Sequence, residues 1–516
     1  MRLRRNHNRI SVSRVCLLVM IQWLATSIVA CAQPFPTLTI PFYSEEPATS
    51  EPLPVESTVP ESISTDSSVF ETDQSGVPSP DLVVTVRSDL LSRFVNRQTV
   101  ESDNVATQVM EANVRGIQTT TTSVLLSTLD SSTSAAFNIV AQGTVASNTV
   151  GLTPQARVAT LGNHTFNITK PVFFDGQRFT TKAAYGSLQA RQFPQSVNSL
   201  TSGFPLLGPI GDTIAWNEVQ RRMPTTDAIV VRQVADDVLP KVNSGVDRNL
   251  AELNRSWQRS RQFLDELTAP DQIVWSAAST VQSFSTSATN ASITSRSVRS
   301  KQLSTRPSEK ESLVLLLTEE GTNRWLDRRS LAGRTVSDTA LQQLIRSFRE
   351  MRENPATLAE VLQQLETESG EPTLFSVRFA DVQPLALRFA DGLITVRLKL
   401  QILPKVGEPS RMQMIQAGLK GQSANDDMWA IALTQVTAEV ADRNQTPDMY
   451  TNLINNAAVV GQLPPTTLPR TIDLRHLHPK MPLFRLFRIQ SDDGQFRLSL
   501  RAIETDVEMT TGRYCP

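Results

Sequence analysis

Four histidines, three cysteines and a few adjacent acids are the residues of this 516-residue chain whose types and spacing could do chemistry. His476 and His478 flank Leu477, which on a strand puts both imidazoles on one face, with Asp473 close by. A metal centre needs three or four converging ligands. Beyond the basic N-terminus His164 is the only other histidine, so no metal site is expected. Asp236-Asp237, Asp426-Asp427 and Asp492-Asp493 are paired carboxylates. Glycosidase chemistry wants two such groups facing across a cleft, one of them desolvated. Neighbours in sequence point apart, so these pairs read as solvated acids. Cys16 and Cys31 lie near the N-terminus and Cys515 is next to last, which leaves neither a nucleophile nor a disulfide framework. The serine elbow, the His-Glu zinc helix, the phosphate loop and the dinucleotide fingerprint are all missing. No catalytic residue, metal or cofactor is assigned, and the chain is expected not to be an enzyme.

One pattern has direction. Val231, Val234, Val238, Val242, Val246, Leu250, Leu253, Trp257 and Leu264 recur at steps of three, four or seven. They form a single apolar stripe on a helix expected from about Thr226 to Leu267. Pro240 should break or kink that helix. Such a stripe either packs into a core or lines an internal apolar cavity.

The elements that must position these residues follow from composition. Arg2, Arg4, Arg5, Arg9 and Arg14 precede a mostly apolar Val15–Ala30, the pattern of an export signal over residues 1–32. Two cleavages fit. Ala30-Cys31-Ala32 suits a cut before Gln33, while Ile28-Val29-Ala30-Cys31 suits lipidation of Cys31. The second would tether the protein to a bilayer by acyl chains alone. Residues 33–80 carry eight acids, nine prolines and no Lys or Arg, and are expected to form a disordered linker. Residues 81–516 hold 45 basic and 43 acidic groups, so a nucleic-acid partner is not implied. Apolar residues make up 40% of the chain, enough for cores and too few for a polytopic membrane protein.

The remainder reads as an internal duplication. Leu82–Arg97 and Leu313–Arg328 align without gaps at an offset of 231, matching Leu82/Leu313, Val83/Val314, Arg93/Arg324 and Arg97/Arg328. Each is an apolar run, hence a strand, followed by an amphipathic helix. Two α+β units of antiparallel sheet with packed helices are expected, at 81–305 and 312–505, with a tail at 506–516. In the first, strands are read at Ser123–Leu129, Ala135–Gly143, Ala156–Leu161, His164–Ile168, Ile273–Phe284 and Ala291–Leu303. In the second, helices are read over Asp338–Arg352 and from Asn354-Pro355, and a shorter one capped by Thr446-Pro447. Strands follow at Phe375–Ala380, Leu385–Ala390, Leu393–Leu403, Trp429–Val440, Phe484–Ile489 and Gln495–Ile503, with Asp391-Gly392 as a hairpin turn. Asn163, Asn167, Asn254, Asn290 and Asn444 fit the glycan acceptor pattern.

Arg93-Phe94-Val95-Asn96-Arg97, Arg324-Trp325-Leu326-Asp327-Arg328, the recurrence of Arg378-Phe379-Ala380-Asp381 at 388–391, and Gly333-Arg334-Thr335-Val336 resemble a family of uncharacterised exported bacterial proteins. That family has no established activity, so the resemblance implies no site residues. Paired units of twisted sheet with one long helix are also similar, at the level of fold, to tubular lipid-binding proteins of the bactericidal/permeability-increasing type. Those often carry a disulfide that this chain lacks.

Two function classes lead as expectations, with an enzyme of unrecognised site as a third. One is a structural or interaction protein of the cell envelope or periplasm, touching an unknown envelope component. The other is a carrier of an apolar, lipid-like ligand between helix and curved sheet. Membrane association is expected only through the Cys31 anchor.

Overall fold

The computed structural model describes residues 80–204, 208–268, 273–290, 305–328, 331–340, 374–442, 444–460, 466–473 and 482–503. Cys31, nearly all of the acidic segment, His476, His478, the strand expected over 291–303 and almost all of the two helices expected after Asp338 lie outside these residues. The described residues form antiparallel sheets with helices packed on them, an α+β arrangement. Among them, no helix is long and apolar enough to cross a membrane.

The central sheet is built around β1 (Leu82–Arg87) and β11 (Leu313–Thr318), which pair antiparallel. Outward from β1 come β10 (Ser283–Asn290) and β9 (Ile273–Thr280). Outward from β11 come β21 (Gln495–Ile503), β20 (Leu483–Asp492) and β19 (Thr471–Asp473). Val84 faces Leu315, Leu82 faces Leu317 and Val86 faces Leu313. Positions 231 apart in sequence therefore exchange places across the pair. Leu82–Val86 and Leu313–Leu317 are buried on both faces, which is why each reads as an apolar run, interrupted only by the buried Thr85. Helix α1 (Ser88–Val95) leaves β1, and α3 (Glu319–Arg328) leaves β11 at the matching position. The Thr318 hydroxyl caps α3 by accepting from the Gly321 N–H at 3.2 Å.

A second sheet rises from α1. Its strands are β2 (Arg97–Val109), β3 (Ala112–Leu129), β4 (Ala135–Leu152) and β5 (Ala156–Phe174). The far edge of β5 is covered in turn by β8 (Gln192–Ser199), β7 (Tyr185–Gln189) and β6 (Phe179–Thr181). These strands are much longer than expected, because glycines that read as breaks lie inside them. Gly143 faces Phe166, whose ring fills the space a side chain would need: a Cβ there would come within 2.7 Å of Phe166 Cζ. The hydroxyl-rich Thr119–Thr122 run lies within β3, with Thr120 and Thr122 buried. Strand β2 was not anticipated, since its sequence is polar at most positions and its alternation shows only as an edge strand.

Helix α2 (Gly208–Thr268) crosses this sheet, 61 residues long. It begins eighteen residues before the expected start, with Pro209 in the first turn where a missing N–H costs nothing. It also continues through Pro240. The lost hydrogen bond is outweighed by burial of Val238, Val242 and Val246 on either side of it.

After α2 the single strand expected over Ile273–Phe284 is instead a hairpin, β9–β10, ending at Asn290. The Thr280 hydroxyl accepts from the Ser283 N–H and closes a turn at Val281-Gln282 that lacks Gly or Pro. The third sheet runs β12 (Thr335–Ser337), β13 (Phe375–Phe379), β15 (Leu393–Pro404), β16 (Gln413–Ser423), β17 (Met428–Val440), β18 (Thr466–Pro469), with β14 (Leu385–Ala390) also on β15. Asp391 and Gly392 both take positive φ in the β14–β15 turn, as the hairpin reading requires. Helix α4 (Met449–Val460) is capped by Asp448, not by Thr446-Pro447: its carboxylate accepts from the Thr451 N–H at 2.8 Å.

Candidate ligand cavity

The apolar stripe on α2 does two different things along its length. Val242, Val246, Leu250, Leu253 and Trp257 are buried in the main core. Val234 and Val238 face a cavity of about 130 Å³ between α2 and the inner face of the second sheet. Val230 lines it as well, whereas Val231 is partly buried and outside the lining. Steps of four run 230, 234, 238, 242, so Val230 stays on the face that Val231 leaves. The side chain of Leu264 lies outside the described residues.

The sheet supplies the opposite wall. Val105 and Val109 of β2, Val114 of β3, Val145 of β4, Phe166 of β5 and Leu188 of β7 make it apolar. Thr107, Thr120 and Thr149 also line it, and a row of further polar residues runs across the wall. Gln118 of β3 pairs with Ser147 of β4, Ser147 with Gly162 of β5, and Gly162 with Gln192 of β8. Gly162 leaves room for the ring of His164: a Cβ on it would lie 2.7 Å from His164 Nε2 and 2.3 Å from Ser147 Oγ. Gln118, Ser147, Gln192 and His164 all line the cavity, and no Lys, Arg, Asp or Glu does. Among the described residues, Gln118 Nε2 and His164 Nδ1 are buried without a hydrogen-bond partner. Burial pushes the His164 imidazole below its usual pKa, so it is neutral at physiological pH. Asp227, a turn before Val230, accepts from the Gln192 backbone, and burial raises its carboxyl.

Below the cavity a polar clamp fixes α2 to β5. Lys170 is 2% exposed, and its ammonium donates to Asn243 Oδ1 at 2.8 Å and meets Asp247 at 3.0 Å. The same Asn243 oxygen accepts from the Ala184 N–H at 2.8 Å. Replacing Asn243 by Leu should therefore cost about 1–3 kcal/mol, since it takes the acceptor from the partly buried Ala184 N–H and leaves the buried Lys170 with Asp247 alone. Urea unfolding at neutral pH checks this, and an unchanged midpoint would mean that the clamp adds nothing.

Other expected positions fall elsewhere. Asp236, Asp426, Asp427, Asp492 and Asp493 are exposed and converge on no cleft. No group of three His, Cys, Asp or Glu among the described residues could hold a metal ion. Two of the glycan acceptor positions are engaged within the fold: Asn254 holds the Phe179 backbone through both side-chain atoms, and Asn290 is buried.

No family model matches the chain, and no curated protein matches it. Among solved structures it is similar to a lipopolysaccharide binding protein, at 9% identity and a TM-score of 0.32 over 83% of this chain and 100% of that one. It is also similar to P47 from Clostridium botulinum A2, at 8% identity and a TM-score of 0.23, over 82% and 97%. Overlaps this loose carry no function across, and the chain's own geometry must supply the reading.

Proposed function

We propose that this protein is a non-enzymatic carrier that holds a small apolar ligand, or the apolar part of a larger one, between α2 and the second sheet. The observation that supports it is the cavity at the start of an otherwise tightly packed stripe. Native interiors leave few voids larger than water, and an unfilled one forfeits dispersion contacts on every side. A dry cavity of about 150 Å³ is enough to take up benzene. We further infer two units related by duplication. The matching 231-residue offset and the β1–β11 register support this, as do the closing hairpins β9–β10 and β20–β21 flanking that pair. Export, with Cys31 as an acyl anchor and the acidic segment as a disordered stalk, completes the proposal.

A second reading, an interaction protein of the cell envelope, draws on another observation. Leu152, Leu200, Phe204, Ile210 and Ile214 are exposed where the β4–β5 turn meets the start of α2. Exposed apolar clusters of this kind mark contact surfaces.

Native mass spectrometry of the full chain, purified without detergent and then exposed to benzene-sized apolar compounds, separates the two. A stoichiometric adduct that Val234→Trp abolishes is expected for the carrier. A clean mass with no uptake would sink it and leave the contact surface as the reading to pursue.

A further inference from the structure

We infer that the ligand carries a neutral hydroxyl group, held by Gln118, Ser147 and His164 on the cavity wall. This deepens the carrier reading and rests on it. The argument starts from cost. A buried amide or imidazole nitrogen without a partner loses its hydration and regains nothing. Gln118 is only 6% exposed, and its Nε2 has no partner among the described residues; His164 Nδ1, two strands away, has none either. Both residues line one cavity: Gln118 pairs with Ser147, Ser147 pairs with Gly162, and the His164 ring lies over Gly162. Two orphaned polar atoms at one apolar cavity are an expensive arrangement unless something fills it that satisfies them.

The chemistry of that filler is constrained. With no charged side chain in the lining, a buried carboxylate or ammonium would be uncompensated, so its polar end is uncharged. Asp103, which pairs with Gln118 from β2, does not line the cavity. Gln118 Nε2 can only donate, so the polar end must accept. A neutral imidazole nitrogen donates or accepts according to its tautomer, and a hydroxyl satisfies either. A ketone or ether could answer Gln118 but only one tautomer of His164. The remaining wall is valine, leucine and phenylalanine together with Thr107, Thr120 and Thr149, which suits an aryl or short alkyl body.

The test compares phenol with benzene, and n-hexanol with n-hexane, by calorimetry and native mass spectrometry on the full chain. Each hydroxyl compound is expected to bind at least about tenfold more tightly than its hydrocarbon, because a site built to bond a hydroxyl rejects an analogue lacking it. Gln118→Leu and His164→Phe should each remove that preference while keeping or improving benzene binding. Benzene binding as well as phenol to the wild-type protein would overturn the inference, the row then being satisfied by water, yet leave the carrier reading intact. Binding of none of the four would overturn both. The wild-type comparison needs no variant, so a variant that fails to fold does not shield the idea.

Discussion

Replacing Arg497 by Met is expected to destabilise the protein by about 3–5 kcal/mol, the cost of breaking a buried ion pair from one side. Arg497 on β21 faces Glu311, just ahead of β11, with Nη2 and Oε2 2.9 Å apart and the two side chains 7% and 1% exposed. Burial alone would raise the Glu311 carboxyl. The Ser499 hydroxyl beside it, the Ser308 N–H and the Arg497 guanidinium outweigh that and bring its pKa down to about 2. A depressed carboxylate stabilises the fold above its unfolded value and loses that contribution as pH falls. Here the window runs from the ordinary 4.5 down to about 2. The linked stabilisation at neutral pH is on the order of 3 kcal/mol. Urea unfolding at pH 7 and at pH 3 checks both claims: R497M should be weaker at pH 7 and less acid-sensitive. The double variant Glu311→Leu/Arg497→Met should recover most of the loss, as apolar replacements of buried pairs do. If R497M unfolds within 1 kcal/mol of the wild type, at ordinary measurement scatter, the pair is not holding the central sheet.

Trp257→Ala carries the other large effect, about 3–5 kcal/mol for a fully buried aromatic. Trp257 stands edge-on to Phe174 and to Trp275, with ring centroids 5.4 Å apart in each case. Its indole N–H donates to the Gly176 carbonyl at 3.1 Å. Gly176 sits at φ +92° with the backbone of Trp275 and Ser276 against it, a place where no side chain fits. The indole thus joins α2, the second sheet and the central sheet at one point. Trp257→Phe keeps most of the ring contact but strands that carbonyl, and should cost about 1–2 kcal/mol. Chemical unfolding ranks the three proteins. Equal losses in Phe and Ala would show that the hydrogen bond, not the rings, does the joining.

Much of the frame is legible in the sequence. The apolar runs at Leu82 and Leu313 marked strands; that these are central follows from burial on both faces, which leaves Thr85 as the one polar residue of the two runs. Asp391-Gly392 marked its turn because that turn demands positive φ at two successive residues. The α2 stripe was legible from its helical steps. Which part of the stripe faces a cavity was not, since that depends on what the sheet places opposite. The polar row was illegible for the same reason. Gln118, Ser147, Gly162 and Gln192 span 75 positions of sequence and meet only through three strand registers. The one local clue was glycine two residues before histidine, the spacing at which a ring can fold over a bare backbone on the same face. Strand lengths were missed because glycines inside β3, β4 and β5 mimic chain breaks.

The β1–β11 pairing also has a consequence in time. During synthesis β1 is complete more than two hundred residues before β11 exists. Throughout that interval its outer edge is an unpaired, uncharged row of Leu82-Val83-Val84-Thr85-Val86, the kind of template that recruits other strands. The only correct mate is a near copy of itself, so β1 of a neighbouring nascent chain is chemically almost as good a match. Dilution, a holding chaperone or delayed compaction must keep the edge vacant until the later strand arrives.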